Sequence, residues 1–233
     1  MLSLDRATLR FGGVTVLDAI DLHVGHGEVL GLLGPNGSGK TSLINVVTGI
    51  YPLSEGRVLI DGEDATFLPL HEIVARGVAR TVQATRLFDR LTVLENVRPA
   101  QGCPRVAVEA LLEKVGLADR RHAMASTLGF ADRRRLDLAR ALALQPKLLL
   151  LDEPASALTA AETNAMAELL ARIALPGRAV IVVEHKIDLI ATLCPRAAVL
   201  HMGRKVAEGL PAEIRDDDFL REVYFGDRET ADA

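Results

Sequence analysis

The chain has 233 residues, 49% hydrophobic and 25% charged, enough apolar material for one large packed α/β domain. Its 27 basic and 31 acidic residues leave a formal charge of −4, and its aromatics are six Phe, two Tyr and no Trp. That balance excludes the basic footprint and the stacking platforms of a nucleic-acid binder. Cys103 and Cys194 match no metal or redox spacing, which points to a reducing cytosol. The sequence opens with no secretory-type leader, and its longest apolar runs, around 148–151 and 179–183, are too short to cross a bilayer. Any service to a membrane is therefore expected to be peripheral.

Alternation in Leu2-Ser3-Leu4 and Leu17-Asp18-Ala19-Ile20-Asp21-Leu22, with glycines between and after, predicts antiparallel strands joined by turns. Phe11 is the lone aromatic of this segment, suited to the core or to lying against a nucleotide base. Val29-Leu30-Gly31-Leu32-Leu33 has the length and character of a buried strand, and a helix is expected from Ser42 onward.

Between them Gly34-Pro35-Asn36-Gly37-Ser38-Gly39-Lys40-Thr41 matches G-x-x-x-x-G-K-[ST], the phosphate-binding P-loop, in the strand–loop–helix setting the motif requires. Glycines let backbone N–H groups turn toward an anion, and the helix N-terminus adds partial positive charge. Lys40 is expected to reach the β- and γ-phosphates of a nucleoside triphosphate, and the Thr41 hydroxyl to complete a Mg²⁺ shell, with Ser42 beside it. The competing reading is an ordinary glycine-rich βα turn.

Further along, Arg57–Ile60 predicts a strand turning at Asp61-Gly62, Leu70 to Arg76 a short helix stopped by Gly77, and Val78 to Val82 another strand. From Leu91 to Leu144 the periodicity is helical, with Thr92 and Glu95 spaced as a capping box and helices over Val106–Val115 and Arg133–Leu144. Lys147–Leu151 and Ala179–Val183 read as strands of a parallel sheet buried on both faces. Ala160 to Ala174 reads as a helix, 197–200 and 205–207 as closing strands, and Pro211 as the start of a short helical tail.

Two acids, Asp152 and Glu153, end the first buried strand. Asp152 can help to hold Mg²⁺, and Glu153 is the candidate general base for water attacking the γ-phosphate. His185, at the end of the next strand, could pack or cap, or could donate to the γ-phosphate or the water. Gln83 could reach Mg²⁺ or water with its amide oxygen.

In this order the P-loop, Gln83, Asp152-Glu153-Pro154 and His185 resemble the ATP-binding subunit of an ABC transporter. The resemblance implies one P-loop NTPase domain over 1–233. It would have a RecA-like core, an N-terminal antiparallel β-subdomain, an α-helical subdomain over about 84–145 and a C-terminal tail over 204–233. It also implies a head-to-tail dimer with a second ATP-binding subunit, each ATP lying between one P-loop and the other signature loop. By position Phe11 is similar to the base-stacking aromatic.

Phe11-Gly12-Gly13, Arg80 to Gln83, Arg86-Leu87-Phe88, Leu91 to Asn96, Val183-Glu184-His185 and Val223 to Gly226 look like importers of the branched-chain amino acid type. That group implies transmembrane permease partners at the cytoplasmic face of the membrane and, indirectly, a solute-binding protein. Leu87-Phe88 would suit a permease-docking groove, or would simply pack the helical subdomain.

Three departures stand out. Where the family signature L-S-G-G-Q is expected, the chain reads Leu128-Gly129-Phe130-Ala131-Asp132, without the serine hydroxyl and with a Cβ at Ala131. Asp132 is expected to cap the following helix. Thr159 replaces the usual aspartate after Ser156-Ala157-Leu158, and Pro99 to Pro104 replaces a longer helical excursion. The altered signature leaves open a slow or regulatory cassette of a heterodimeric transporter, and a soluble ABC ATPase outside transport is a further alternative.

Overall fold

The computed structural model describes residues 1–83, 85–98 and 108–217. The N-terminal alternation builds a sheet: β1 (Leu2–Phe11) turns at Gly12-Gly13 into β2 (Val14–Val24), with Leu2 opposite Val24 and Phe11 opposite Val14. β3 (Val29–Leu33) is buried at every residue and runs into the glycine loop, from which α1 (Lys40–Val47) rises. β4 (Glu55–Ile60) pairs back onto β1 and, through the Asp61-Gly62 turn, onto β5 (Glu63–Asp64), completing a four-stranded antiparallel sheet.

After α2 (Leu70–Ala75), Gly77 takes a φ of +88°, the left-handed stop expected of it, and the chain enters β6 (Val78–Arg80). α3 (Val93–Val97) starts at the expected capping box, with both Thr92 and Glu95 bonds made. α4 (Val108–Lys114) covers the later part of the helix expected over 106–115, and Pro99 to Pro104 lie outside the described residues.

α5 (Phe130–Ala143) begins three residues before the expected start. Gly129, extended at φ −65° and ψ 166°, stands at the N-cap, and its carbonyl accepts the Arg133 N–H at 3.0 Å. Asp132 is consequently not the cap but a first-turn residue, where its carboxylate still meets the positive end of the helix.

β7 (Leu148–Asp152) follows, then α6 (Ala160–Leu169), which widens into a π-helical turn over Leu170–Ala174. β8 (Ala179–Val183), α7 (Ile187–Leu193), β9 (Arg196–His201), β10 (Arg204–Gly209) and α8 (Pro211–Asp216) complete the described chain. Val223 to Gly226 lie outside it.

The second sheet has six strands in the order β10-β9-β3-β8-β7-β6, parallel apart from the β10–β9 pair. The expected strand to Val82 stops at Arg80. The Thr81 N–H still donates to Leu150 O at 2.9 Å, but the Val82 N–H turns to Asp137 Oδ2 on α5 at 3.1 Å. A side chain of the signature helix thus takes the donor that would have continued the ladder.

Strands that are apolar throughout serve two cores. Leu148, Leu150, Ala179, Ile181 and Val183 face the layer holding α1 and the antiparallel sheet. Leu149, Leu151, Val180 and Val182 face the layer holding α5, α6 and α7. The period of two along a strand sends neighbours to opposite faces, so only a run without polar residues can fill both layers. Among the described residues no helix is long and apolar enough to cross a membrane.

Candidate functional site

The carboxyl ends of β3, β6, β7 and β8 carry the candidate residues at one edge of the parallel sheet, where open α/β sheets form their ligand crevices. Asp152 pairs with Val183 and Leu32 with Val183, so P-loop, acids and His185 leave the sheet from adjoining strands.

In the loop, Gly34 has a φ of +154°, and a Cβ there would stand 2.4 Å from Leu200 O and from Ser38 Oγ. Gly39, at φ +106°, forms the N-cap of α1. No side chain caps α1, and no acid occupies its first turn, which keeps that N-terminus available for an anion. Lys40 folds back over its own loop, donating from Nζ to Gly34 O at 2.7 Å and Pro35 O at 2.9 Å. Burial holds its ammonium below the ordinary lysine value, against the opposing pull of Glu153, Asp152 and Glu184.

Asp152 is 1% exposed. Its Oδ2 accepts from Arg80 Nη2 at 2.7 Å, while Arg80 Nη1 donates to Asn45 Oδ1 at 2.6 Å. Among the described residues the other oxygen, Oδ1, is buried without a partner, as is the Ser38 hydroxyl. Orphaned buried oxygens are costly. A divalent cation, or water bound to one, would satisfy the carboxylate, and phosphate would satisfy the hydroxyl, so the residues present fit Mg·ATP. Thr41 is exposed at the start of α1, able to add its hydroxyl, with Ser42 half-buried beside it.

Glu153 sits in the left-handed region at φ 48°, a conformation costing roughly 1–3 kcal/mol in a non-glycine residue and concentrated at functional sites. Its N–H donates to Val183 O at 3.0 Å, and its Oε2 accepts from Gln83 Nε2 at 2.7 Å. Gln83 is exposed and, bonded through its nitrogen, keeps the amide oxygen for other ligands. His185 is half-exposed at the rim of a cavity of about 660 Å³ bordered by α6, α7 and α8, with Nδ1 3.8 Å from Glu184 Oε2.

Phe11 does not lie alone as a platform. Its exposed ring meets Tyr51 edge-on, with centroids 5.1 Å apart and planes at 84°. The signature segment occupies another element. Leu128 is buried, Phe130 is exposed with Arg134 Cζ 5.2 Å from its ring centre, and Ala131 packs against the core. Asp132 is paired with Arg120 at 3.2 Å and Arg135 at 3.6 Å, which holds its charge locally. Among the described residues no hydrogen bond or ion pair joins 128–132 to the P-loop. Of the expected docking pair, Leu87 packs against the core and only Phe88 is exposed, with Arg140 Cζ 5.1 Å from its ring centre.

Sequence reading missed Arg80, Asn45, Glu184 and Tyr51. A basic residue at position 80 is unremarkable in one dimension, and only the β6–β7 register, with Arg80 opposite Leu150, brings it to Asp152. Thr159, noted as a missing aspartate, proves to be the N-cap of α6 in a complete capping box with Glu162, a signal the T-x-x-E spacing already carried.

The sequence matches a family model described as ABC transporter over residues 17–156. It is similar to the high-affinity branched-chain amino acid transport ATP-binding protein BraF of Pseudomonas aeruginosa, 33% identical with 97% of this chain and 98% of that one covered. LivG of Escherichia coli K12, of the same description, matches with the same identity and coverage. The lipopolysaccharide export system ATP-binding protein LptB of Escherichia coli K12 is also 33% identical, covering 93% of each chain. Among solved structures, an ATP-binding cassette of an ABC transporter in its ADP conformation superposes with a TM-score of 0.88 at 26% identity, covering 97% of this chain and 98% of that one. A dimeric post-hydrolysis cassette bound to ADP and Pi gives 0.79 at 26% identity, covering 91% and 99%.

Proposed function

The chain belongs to the ABC transporter family, and from that premise we propose that it powers an importer of branched-chain amino acids or a related small polar solute. It is an ATP-binding subunit whose hydrolysis of ATP is coupled to transport. The observation that carries the solute class is the nearly end-to-end match to BraF and LivG, 98% of each. LptB matches less of the chain, and its printed role is export.

In the proposed cycle the backbone N–H groups of 37–41 hold the phosphates, and Lys40 leaves the Gly34 and Pro35 carbonyls to reach the β- and γ-phosphates. Asp152 and Thr41 would hold Mg²⁺, with Gln83 contributing its amide oxygen. Mg²⁺ supplies neutralisation of the phosphate charge. Glu153, released by Gln83, polarises the attacking water, and His185 donates to the γ-phosphate or to that water. Phe11, with Tyr51, offers an aromatic wall for the base. A second cassette would present its own 128–132 segment to this ATP, with the helix N-terminus standing in for the absent serine hydroxyl.

We assign about 84–145 to the helical subdomain and 204–233 to the C-terminal tail, whose first residues form β10 of the six-stranded sheet. Permease subunits would dock near Gln83, Arg86, Leu87 and Phe88 at the cytoplasmic face of the membrane, upstream of a solute-binding protein. The altered signature favours one second reading, a slow cassette paired with an unlike partner.

The test is uptake. Cells lacking the protein are expected to lose energised uptake of labelled leucine, to regain it with the wild-type chain and not with Glu153→Gln, while the purified variant still binds ATP. Normal uptake without the protein overturns the solute assignment; brisk turnover by Glu153→Gln overturns the base.

A further inference from the structure

Glu184 has no exposed surface; the other buried acids among the described residues are Asp152 and Glu153 at the site and Asp137 on the signature helix. It follows β8 directly, and its N–H extends the ladder to Leu32 O at 3.2 Å. Its carboxylate faces inward. Oε1 accepts the Ala155 N–H at 3.1 Å, and Oε2 accepts the His185 N–H at 3.3 Å and lies 3.8 Å from His185 Nδ1. Burial pushes this carboxyl above the usual carboxylate value, the Ala155 N–H and His185 hold it down, and neighbouring Glu153 raises it further.

A carboxylate buried beside a second acid is an expensive way to satisfy two backbone donors. Its placement explains the cost. Pro154 has no N–H, so Ala155 offers the first donor after Glu153. The Glu153 N–H is already bonded to Val183 O at 3.0 Å. With the Ala155–Glu184 bond, the segment 153–155 is stitched at two points to the segment 183–185. One of those stitches is a side chain whose remaining oxygen faces the imidazole.

We infer that Glu184 is a positioning residue, which turns His185 so that Nδ1 faces the protein and Nε2 faces the nucleotide, and ties that ring to the backbone bearing Glu153. The inference rests on the reading of His185 as a nucleotide contact. It adds a named carboxylate through which the two sides of the γ-phosphate site are kept in register.

The test uses the intact protein. Side-chain ¹⁵N spectra, with His185 assigned by its loss in His185→Gln, are expected to show a proton on Nδ1 in the wild type. A non-hydrolysable ATP analogue with Mg²⁺ should perturb Nε2. Glu184→Gln, which sets an NH₂ against one of the two backbone donors, should abolish this preference. It should lower kcat roughly ten-fold with KM within about two-fold. Combined with His185→Ala it should cost clearly less than the sum of the two single losses.

Additive losses in that cycle, or a wild-type His185 protonated on Nε2 and bare on Nδ1, overturn the inference. If Glu184→Gln does not fold, the wild-type spectrum decides alone. Full turnover by His185→Ala would sink the nucleotide role of His185, and the spectrum would still decide whether Glu184 sets the ring.

Discussion

At the residue scale the site is a balance of buried charge. Asp152 has one oxygen committed to Arg80 and one without a partner among the described residues, and Arg80 divides its guanidinium between Asp152 and Asn45. Removing one member of a buried pair costs about 3–5 kcal/mol, because the survivor's charge stays desolvated. Arg80→Gln is therefore expected to lower unfolding stability by roughly 3 kcal/mol. Mg·ATP should restore more of that loss than it adds to the wild type, because the cation would meet the stranded carboxylate. Urea unfolding with and without Mg·ATP measures both; an unchanged midpoint would show that Arg80 is not the partner that matters. Glu153 carries the complementary feature, a left-handed backbone that aims a carboxylate which Gln83 already holds.

At the element scale, caps decide where helices start and what their ends can do. α6 begins at a complete box in which Thr159 accepts the Glu162 N–H and Glu162 accepts from Thr159. The two donors hold the Glu162 carboxyl below its ordinary value. Thr159→Ala should lower Tm by about 2–4 °C, the effect of a lost N-cap in a domain of this size, and a thermal melt reads it directly.

α5 is the opposite case. Gly129 stands at the N-cap with no side-chain bond, and a Cβ added there meets nothing within 4 Å. Serine is thus accommodated without strain and brings the missing hydroxyl to the segment that would face a partner's ATP. Gly129→Ser is expected to raise ATP turnover at least about two-fold, a gain of roughly 0.4 kcal/mol in transition-state binding. No gain in a steady-state assay would show that the helix N-terminus alone is sufficient.

At the scale of the whole molecule, one parallel sheet joins two cores and carries the P-loop, Gln83, Asp152-Glu153 and His185 along one edge. The signature segment sits on α5 and makes no bond to that loop among the described residues. We propose that a site needing both takes its second half from another chain. Specific turnover is accordingly expected to rise with protein concentration, and Glu153→Gln with ATP to elute at twice the mass of the nucleotide-free form. Turnover per chain that stays constant down to nanomolar protein would mean that the monomer hydrolyses ATP unaided.

Much of this was written in one dimension because it depends on local rules. The P-loop is a fixed spacing of glycines and lysine, the buried strands are unbroken apolar runs, and the Thr92 box is a four-residue pattern, so each was legible without a partner strand. Strand and helix ends were less so. β6 stops early because Asp137, 55 positions on, takes the Val82 N–H, and α5 starts early because the extended Gly129 serves as its N-cap and accepts the Arg133 N–H. The Arg80–Asp152 pair, the Phe11–Tyr51 contact and the Glu184 bond to Ala155 join residues 72, 40 and 29 positions apart. Sequence alone determined the P-loop and the two strand-end acids, because their pattern lies in the spacing. Only the tertiary structure decided which charges face them, because a parallel register brings together strand ends that the chain keeps far apart.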